Sequence, residues 1–141
     1  MFRAYHGTNA SFANFDPAMM GSLEDRSSNG RLGVWVAYDH CLAAKFGDTL
    51  LDLDIRIVPE RARDLHIDEL LKMHRQASRA KHDTGDNDAE TLFYDLYRTQ
   101  MIAANVGFLR LVESDGSSKM GIVIDHEAID IIRSTQSKRA A

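Results

Sequence analysis

Three short stretches decide the fold: YHGT at residues 5–8, GVWV at residues 33–36 and LAAKF at residues 42–46. Apolar and polar residues alternate at the start of the chain, which predicts a strand that ends in a polar turn. The second stretch predicts a buried strand entered through glycines, and the third predicts a short helix that begins at Asp39. Trp35 and Phe46 are eleven positions apart (46 − 35 = 11). A helix that returns over the strand would bring these two rings face to face, a receptor suited to a flat heteroaromatic ring attached to a ribose.

The composition is that of a soluble globular protein. The 141 residues predict one domain, large enough to form a core without disulfides or a metal. No apolar run approaches the roughly 20 residues that cross a membrane, and the start of the chain does not open a signal peptide, so no membrane partner is expected. The net charge of −4 argues against a large phosphate-backbone footprint but leaves a local basic patch and a nucleic-acid acceptor open.

The single cysteine bears on compartment and on metal binding. Cys41 permits no internal disulfide, which suits a reducing cytosol and predicts a cytoplasmic protein. Its position on the helix that begins at Asp39 predicts a buried, inert side chain. No Cys/His set has the spacing of zinc ligands, so no metal site is expected.

The rest of the chain predicts an α+β domain with a small mixed or antiparallel sheet, without the glycine-rich turn of a Rossmann fold. Its predicted elements are a loop over the site (16–31), a half-buried strand (50–58) ended by Pro59, helices at about 67–80 and 88–105, a hairpin of strands (108–112 and 120–124) and a last strand (128–132). The predicted inner faces are Leu70, Leu71, Met73, His74 and Ala77 on the first helix, and Leu92, Phe93, Leu96, Tyr97, Met101 and Ile102 on the second. The domain covers 1–133, with a helical insertion at about 61–105 and a frayed tail at 134–141.

The first three stretches resemble the NAD-binding core of ADP-ribosyltransferases, in the diphtheria-toxin and poly-ADP-ribose-polymerase branch. In that family a His-Gly-Thr or His-Gly-Ser strand holds NAD, and an aromatic in a Gly-x-Tyr strand faces a second aromatic at the end of the next helix. The resemblance covers residues 2–47 well and the rest loosely. The stretches 30–33 (GRLG) and 107–108 (GF) also resemble small phage-encoded anti-CRISPR proteins that ADP-ribosylate a Cas subunit. The resemblance implies an ADP-ribosyltransferase type of sheet and NAD as co-substrate.

The resemblance assigns NAD-binding roles to the first strand. His6 would donate to a ribose hydroxyl, and the backbone of Gly7 would approach the nicotinamide carboxamide closely because glycine has no side chain. Thr8 would bond the adenine ribose. The alternative is that His6 caps a strand and that Gly7 and Thr8 only form a turn.

The aromatic pair and two neighbours complete the predicted cofactor site. Trp35 and Phe46 would sandwich the nicotinamide ring, in places where the family commonly has tyrosine. Tyr38 would restore a hydroxyl, and Arg31 would pair with the pyrophosphate. The alternatives are two core aromatics and a solvated loop arginine.

The catalytic acid is predicted near the second hairpin. The family keeps a glutamate on a strand close to the chain end, where this sequence has Gly121 and no acid until Asp125. Asp115 is our first choice and Glu113 the second, since their spacing puts both on one face if the strand continues. Such a carboxylate would stabilise an oxocarbenium-like transition state. The alternative is that Asp115 is only a turn residue.

These features predict a mono-ADP-ribosyltransferase that moves ADP-ribose from NAD to a macromolecule, with a protein as the expected acceptor. A Cas subunit or another host protein would be that partner if the chain is a phage anti-CRISPR protein or a bacterial effector or toxin, acting in the host cytosol. One alternative is a non-catalytic binding module that acts through its helical insertion. Another is an NAD glycohydrolase with water as acceptor.

Overall fold

The structure is a computed structural model that describes residues 1–8, 31–86 and 88–136. The strands of these ranges are β1 (Phe2–Thr8), β2 (Val34–Ala37), β3 (Thr49–Ile55), β4 (Ala62–His66), β5 (Phe108–Val112), β6 (Met120–Val123) and β7 (Ile129–Gln136). The α-helices are α1 (His40–Ala43), α2 (Ile67–Thr84) and α3 (Ala89–Ala103). The predicted α+β class with a mixed sheet is therefore confirmed.

The seven strands form one sheet in the order β4-β5-β6-β2-β1-β3-β7. Neighbours run antiparallel except β4 and β5, which are parallel. β1 pairs with β3 along its whole length, from Phe2 to Thr8, whereas its pairing with β2 is reduced to Tyr5 opposite Ala37. The sheet is therefore weakly joined at this one place, between a β4-β5-β6-β2 half and a β1-β3-β7 half.

The two halves fold over each other around an inner core. β1 and β5 are three strand steps apart, about 14 Å in a flat sheet. The rings of Phe2 and Phe108 nevertheless lie 4.9 Å apart between centroids. The buried cluster between the halves draws on both: Ala4, Val34, Val36, Leu51, Leu53, Ile55, Ile57, Phe108, Val123 and Ala128. The alternating pattern of β3 is confirmed by its buried leucines and isoleucine, because the same face of that strand meets this core.

A second core lies on the outer face of the β4-β5-β6-β2 half, under α2 and α3. It contains Leu32, Leu65, Met73, Ala77, Tyr94, Met101, Val106, Leu109, Leu111, Ile122 and Ile124. The prediction of a helical insertion at 61–105 is wrong in its first part, because residues 62–66 form β4. Parallel strands need a long crossover connection. α2 and α3 are that crossover between β4 and β5, so they belong to the fold rather than being inserted into it.

Strand β4 lacks the sequence alternation that predicts a strand. It is an edge strand in which only Leu65 is buried, so no alternation marks it. Its Asp64 lies directly opposite Arg110 of β5, and the two side chains form an ion pair of 3.0 Å. Opposite charges across a strand pair stabilise it by roughly 0.2–1 kcal/mol.

Three predicted boundaries need correction. β3 ends at Ile55 rather than Val58, and Pro59 begins a short 3-10 helix instead of ending the strand. α2 continues to Thr84 and ends at Gly85, whose φ of 68° is the left-handed cap that favours glycine. β7 extends to Gln136 by pairing with β3, so residues 134–136 are not frayed. Residues 137–141 and most of the predicted loop, 16–30, lie outside the described residues.

The predicted inner face of α3 is partly wrong. Tyr94 is fully buried and Met101 nearly so, while Leu92 and Leu96 are each 56% exposed. The side chains that pack toward the sheet are those at positions 94, 97 and 101, which recur at helical spacing. Leu92 and Leu96 lie on the face of the helix that is exposed to solvent. On α2, Met73 and Ala77 are buried as predicted, but Leu71 and His74 are exposed. Within the described residues, no helix combines the length and the hydropathy needed to span a bilayer.

Candidate functional site

Helix α1 starts where the sequence predicts, because Asp39 caps it. The Asp39 backbone is extended (φ −110°, ψ 127°), and its carboxylate accepts the N–H of Cys41 at 2.7 Å. This is the geometry of a helix N-cap. A 3-10 turn over Ala44–Phe46 continues the helix. Cys41 itself is exposed, so the prediction that it is buried is wrong: the capped first turn faces solvent.

Gly7 of β1, Trp35 of β2 and Phe46 after α1 define what we call the β1–β2 corner. β1 and β2 pair at Tyr5 and Ala37, and because side chains alternate along a strand, Gly7 and Trp35 face the same side of the sheet as that pair. A Cβ on Gly7 would overlap the carbonyl oxygen of Ala43 and come within 3.3 Å of the Cβ of Phe46. The missing side chain of Gly7 thus lets the end of α1 sit directly on β1, which brings Phe46 beside it.

His6 bridges the two strands where their ladder stops. Its Nδ1 lies 2.6 Å from the carbonyl oxygen of Trp35. A carbonyl oxygen can only accept, so Nδ1 carries the proton and donates. In the neutral ring Nε2 is then an acceptor. Any contact of His6 with a ribose hydroxyl would therefore be made by Nε2, and the predicted role of His6 stays a prediction.

The two aromatics of the predicted sandwich differ in burial. Trp35 is half-buried and packs against the core under α2 and α3. Phe46 is 55% exposed. The exposed ring is available for stacking, while Trp35 is held in place by the core.

Thr8 ends β1 beside a carboxylate that sequence reasoning missed. Thr8 is buried and pairs with Thr49 of β3. A Cβ on Gly47 would overlap the backbone of Thr8, so the chain between Phe46 and Thr49 packs tightly on the end of β1. Asp48, in this segment, is exposed. No motif marks it; only the β1–β3 register brings it to the corner.

Arginines gather at the other end of β2, near Val34. Arg31 forms a two-contact ion pair with Asp95 of α3, with Nε–Oδ1 2.9 Å and Nη2–Oδ2 3.3 Å. Arg98, also on α3, donates from Nη2 to the carbonyl oxygen of Ile124 at 3.1 Å, and burial lowers its pKa. Among the residues that the structure describes, the buried Nε of Arg98 has no hydrogen-bond partner. The predicted phosphate ligand Arg31 thus has a carboxylate of its own, and Arg98 is a second guanidinium beside it that the sequence did not single out.

Tyr38 lies apart from the corner. Its ring packs on the inner core, 6.1 Å from the ring of Phe2 between centroids, whereas Trp35 packs on the outer core. Burial raises the pKa of Tyr38, and a hydrogen bond with Ser118 partly offsets this. The backbone N–H of Tyr38 donates to the carbonyl oxygen of Lys119 at 3.1 Å. Tyr38 therefore faces the β5–β6 hairpin rather than Gly7 and Trp35.

The two predicted acids lie in the turn of that hairpin, residues 113–118, which we call the hairpin tip. β5 ends at Val112, so the condition that would put Glu113 and Asp115 on one strand face is not met. Oδ1 of Asp115 accepts from the Ser117 N–H at 3.0 Å and from the Ser117 hydroxyl at 2.6 Å. These bonds lower the pKa of the exposed Asp115. At neutral pH this carboxylate is ionised, and its bonds to Ser117 shape the turn.

The hairpin tip lies at the end of β6 away from the arginines. Trp35 is opposite Ile122 on β6, and Ser117 is five residues before Ile122, at most about 17 Å along an extended chain. Asp125, the third acid near this hairpin, lies at the other end of β6. Its Oδ2 pairs with Arg61 at 2.9 Å and its Oδ1 accepts from the Glu127 N–H at 3.2 Å. Both its oxygens are engaged within the fold.

Comparisons with known proteins give one similarity. No protein-family model matches the chain, and no curated protein matches it. A solved structure described as the crystal structure of an anti-CRISPR protein is similar, with a TM-score of 0.47 and 11% sequence identity over 93% of this chain and 95% of that one. The function is therefore argued from the residues of this chain.

Proposed function

We propose that the protein binds NAD at the β1–β2 corner and transfers ADP-ribose to a protein acceptor, with release of nicotinamide. The observation that carries the proposal is the corner itself. Gly7 and Trp35 share a face, and the end of α1 brings an exposed Phe46 against Gly7. The position of Phe46 against Gly7, on the face that Trp35 shares, supports the proposal that the two rings take nicotinamide between them.

Neighbouring groups are the candidates for contacts with the rest of NAD. Nicotinamide would stack between Trp35 and Phe46, where offset stacking adds to area burial. His6, whose Nδ1 donates to the carbonyl oxygen of Trp35, would contact a ribose hydroxyl through its other ring nitrogen, Nε2. Thr8, at the end of β1, is the predicted contact to the second ribose.

The arginines near Val34 suit the pyrophosphate. Arg98 has a buried Nε without a hydrogen-bond partner among residues 1–8, 31–86 and 88–136. Arg31 beside it would share its guanidinium between Asp95 and a phosphate oxygen. A planar guanidinium matches phosphate oxygens in two-point contacts. Arg31 and Arg98 together therefore replace the single arginine that the sequence predicted.

The chemical step needs a carboxylate near the nicotinamide ribose. The bond from ribose C1′ to the nicotinamide nitrogen breaks, and its electron pair leaves with nicotinamide, which becomes neutral. The acceptor nucleophile then bonds C1′ and loses its proton. The positive charge that develops on the ribose is stabilised by an ionised carboxylate. Asp115 remains the first choice from the sequence and Glu113 the second, and the structure adds Asp48, which precedes the Thr49 that pairs with Thr8.

The test measures two products from the purified full chain. NAD labelled in the adenylate part is incubated with the protein and a host lysate, and free nicotinamide and labelled protein bands are quantified separately. Nicotinamide together with a labelled band supports transfer. Nicotinamide without a band, with or without lysate, indicates NAD hydrolysis instead. Neither product, in a protein that also fails to bind NAD, contradicts the proposal.

A non-catalytic binding module is the second candidate, favoured by one observation. Leu71 of α2 and Leu92, Leu96 and Ile102 of α3 are each more than half exposed. Exposed apolar side chains on one helical layer are a common feature of protein-binding surfaces. This candidate predicts that Leu92→Ala and Leu96→Ala abolish the biological effect while Phe46→Ala does not. A transferase predicts the reverse for Phe46.

A further inference from the structure

Three consecutive side chains at the start of α1 present metal-ligating atoms to solvent. Asp39, His40 and Cys41 are all exposed, and one donor atom from each lies within 4.8 Å of the other two. They are one carboxylate oxygen, one imidazole nitrogen and one thiol sulfur. This set has the three ligand types that zinc takes from proteins.

The N-cap is the reason that consecutive residues converge. Side chains one residue apart normally point about 100° apart on a helix. Asp39, however, has an extended backbone outside the helix, and its carboxylate folds over the first turn to accept the Cys41 N–H at 2.7 Å. His40 lies between the two, with Nε2 at 3.5 Å from the Cys41 sulfur and Nδ1 at 3.9 Å from Oδ1 of Asp39.

A single ion bonds only one of the two His40 nitrogens, and with one donor atom from each residue the separations are at most 4.8 Å. With bonds of about 2.0–2.3 Å, two ligand atoms on a tetrahedral ion are about 3.3–3.8 Å apart. The longest separation here, 4.8 Å, must shrink by about 1 Å, which a rotation of solvent-exposed side chains supplies within nanoseconds. Asp39 and His40 have side chains that are 69% and 66% exposed, so they move without disturbing a core.

We propose that Asp39, His40 and Cys41 bind one Zn²⁺ ion, with water at the fourth position. The ion displaces the thiol proton of Cys41 and bonds the resulting thiolate, so its affinity falls as the pH is lowered. The prediction that the sequence holds no metal site considered only spaced Cys/His motifs. A site of adjacent residues depends on the cap geometry, which no spacing rule contains.

The site would act on the corner without being part of it. The ring of His40 packs edge-on against Tyr5 of β1, with centroids 5.9 Å apart. The same short helix presents the carbonyl of Ala43 to Gly7. An ion that ties together the first turn of α1 would therefore restrain the segment that covers the β1–β2 corner.

Cobalt is the probe for the experiment, because Co²⁺ takes zinc sites and reports a thiolate ligand by its absorbance. The full chain, kept reduced, is titrated with CoCl₂. We expect a near-ultraviolet sulfur-to-cobalt charge-transfer band that saturates at one equivalent and disappears when ZnCl₂ is added. Because Cys41 is the only cysteine of the chain, the band reports on this residue alone.

Three variants keep the cap and test each donor. Cys41→Ser should abolish the band, while His40→Ala and Asp39→Asn should each weaken cobalt binding by at least about tenfold. Asparagine is itself a good N-cap, so Asp39→Asn leaves the helix start intact. His82→Ala, a change to another exposed histidine, is the matched control and should leave the titration unchanged.

Two outcomes overturn the proposal. One is the absence of a charge-transfer band in the wild-type protein at millimolar cobalt. The other is a band whose midpoint is the same in His40→Ala and Asp39→Asn as in the wild type, since a lone thiolate would then be the ligand. Neither outcome depends on NAD, so the metal site and the proposed transferase are tested separately.

Discussion

The β1–β2 corner and the hairpin tip both carry residues predicted for NAD chemistry, and the structure treats them differently. At the corner, the capped helix α1 packs on Gly7 of β1 and brings Phe46 beside it, and Gly7 shares a face of the sheet with Trp35. At the hairpin tip, Asp115 is a turn residue whose carboxylate oxygen is held by Ser117. The corner is specified by packing, and the tip by local hydrogen bonds.

The glycines of the two regions show the same contrast. Gly7 has an ordinary strand backbone but no room for a Cβ, because Ala43 occupies the space. Gly116 has open space around it but a left-handed φ of 85°. One glycine is required by tertiary contact and the other by the turn alone. The turn alone accounts for Gly116, so this glycine is no evidence for a site. Gly7 is required by packing, which shows that α1 and β1 must be in contact.

The largest expected effect concerns the acid at the tip. If Asp115 stabilises the transition state, Asp115→Ala should reduce nicotinamide release by about 10²–10³-fold while NAD affinity changes only a few-fold. Ser117→Ala is the matched control, because it removes one of the two bonds of the turn but keeps the carboxylate. Glu113→Ala should have the smaller effect.

If Asp115→Ala and Glu113→Ala both retain full activity, the acid lies elsewhere. Asp48→Asn is then the decisive variant, since Asp48 is the carboxylate that the β1–β3 register brings beside Thr8. Loss of activity in that variant would place the chemistry entirely at the corner.

Gly7→Ala should have the next largest effect, on stability. The added Cβ must push the end of α1 away from β1, and overpacking of this kind costs about 1–3 kcal/mol. Urea unfolding followed by circular dichroism measures it. Gly116→Ala, with open space but a strained φ, should cost only about 1 kcal/mol. Equal losses in the two variants would mean that α1 does not rest on Gly7.

Phe46→Ala should weaken NAD binding by about 1–3 kcal/mol through loss of stacked area. Quenching of Trp35, the only tryptophan of the chain, is the readout, because a stacked nicotinamide quenches the indole. Leu92→Ala removes an equally exposed apolar side chain from α3 and should leave NAD affinity unchanged. An NAD titration of the wild type without quenching would contradict the sandwich.

The smallest effect is expected for Tyr38→Phe, and it separates the two regions. Tyr38 faces the inner core and the hairpin, so NAD affinity should stay within about twofold of the wild type. Its pKa is raised by burial, which means that the fold favours the neutral phenol. The stability it contributes is present below the ordinary pKa of about 10 and is lost as the pH rises through the folded value.

Urea unfolding across the alkaline range measures this contribution. The wild type should lose stability above about pH 10 more steeply than Tyr38→Phe, which has no phenol to ionise. Parallel curves for the two proteins would mean that the burial of Tyr38 does not govern its ionisation. A large loss of NAD affinity in Tyr38→Phe would indicate that Tyr38 contacts NAD after all.

Local patterns predicted most of the strands and helices. Alternation marked β1 and β3, the Asp-Gly turn marked the β5–β6 hairpin, and Asp39 marked the start of α1. These signals work because they report on the residue's own backbone and its nearest neighbours. β4 was missed for the same reason: as an edge strand with one buried side chain, it has no pattern to read.

The sequence by itself determined the α+β class and the start of α1 at Asp39. It also determined Gly7 and the spacing that brings Phe46 to β1. Only the tertiary structure decided which of the candidate residues meet. It buried Tyr94 and exposed Leu92, gave Arg31 a carboxylate partner, turned Tyr38 to the other face and exposed Cys41. The physical reason is that propensity, capping and turns act within a few residues, whereas burial and pairing depend on how the curled sheet and its crossover helices pack together.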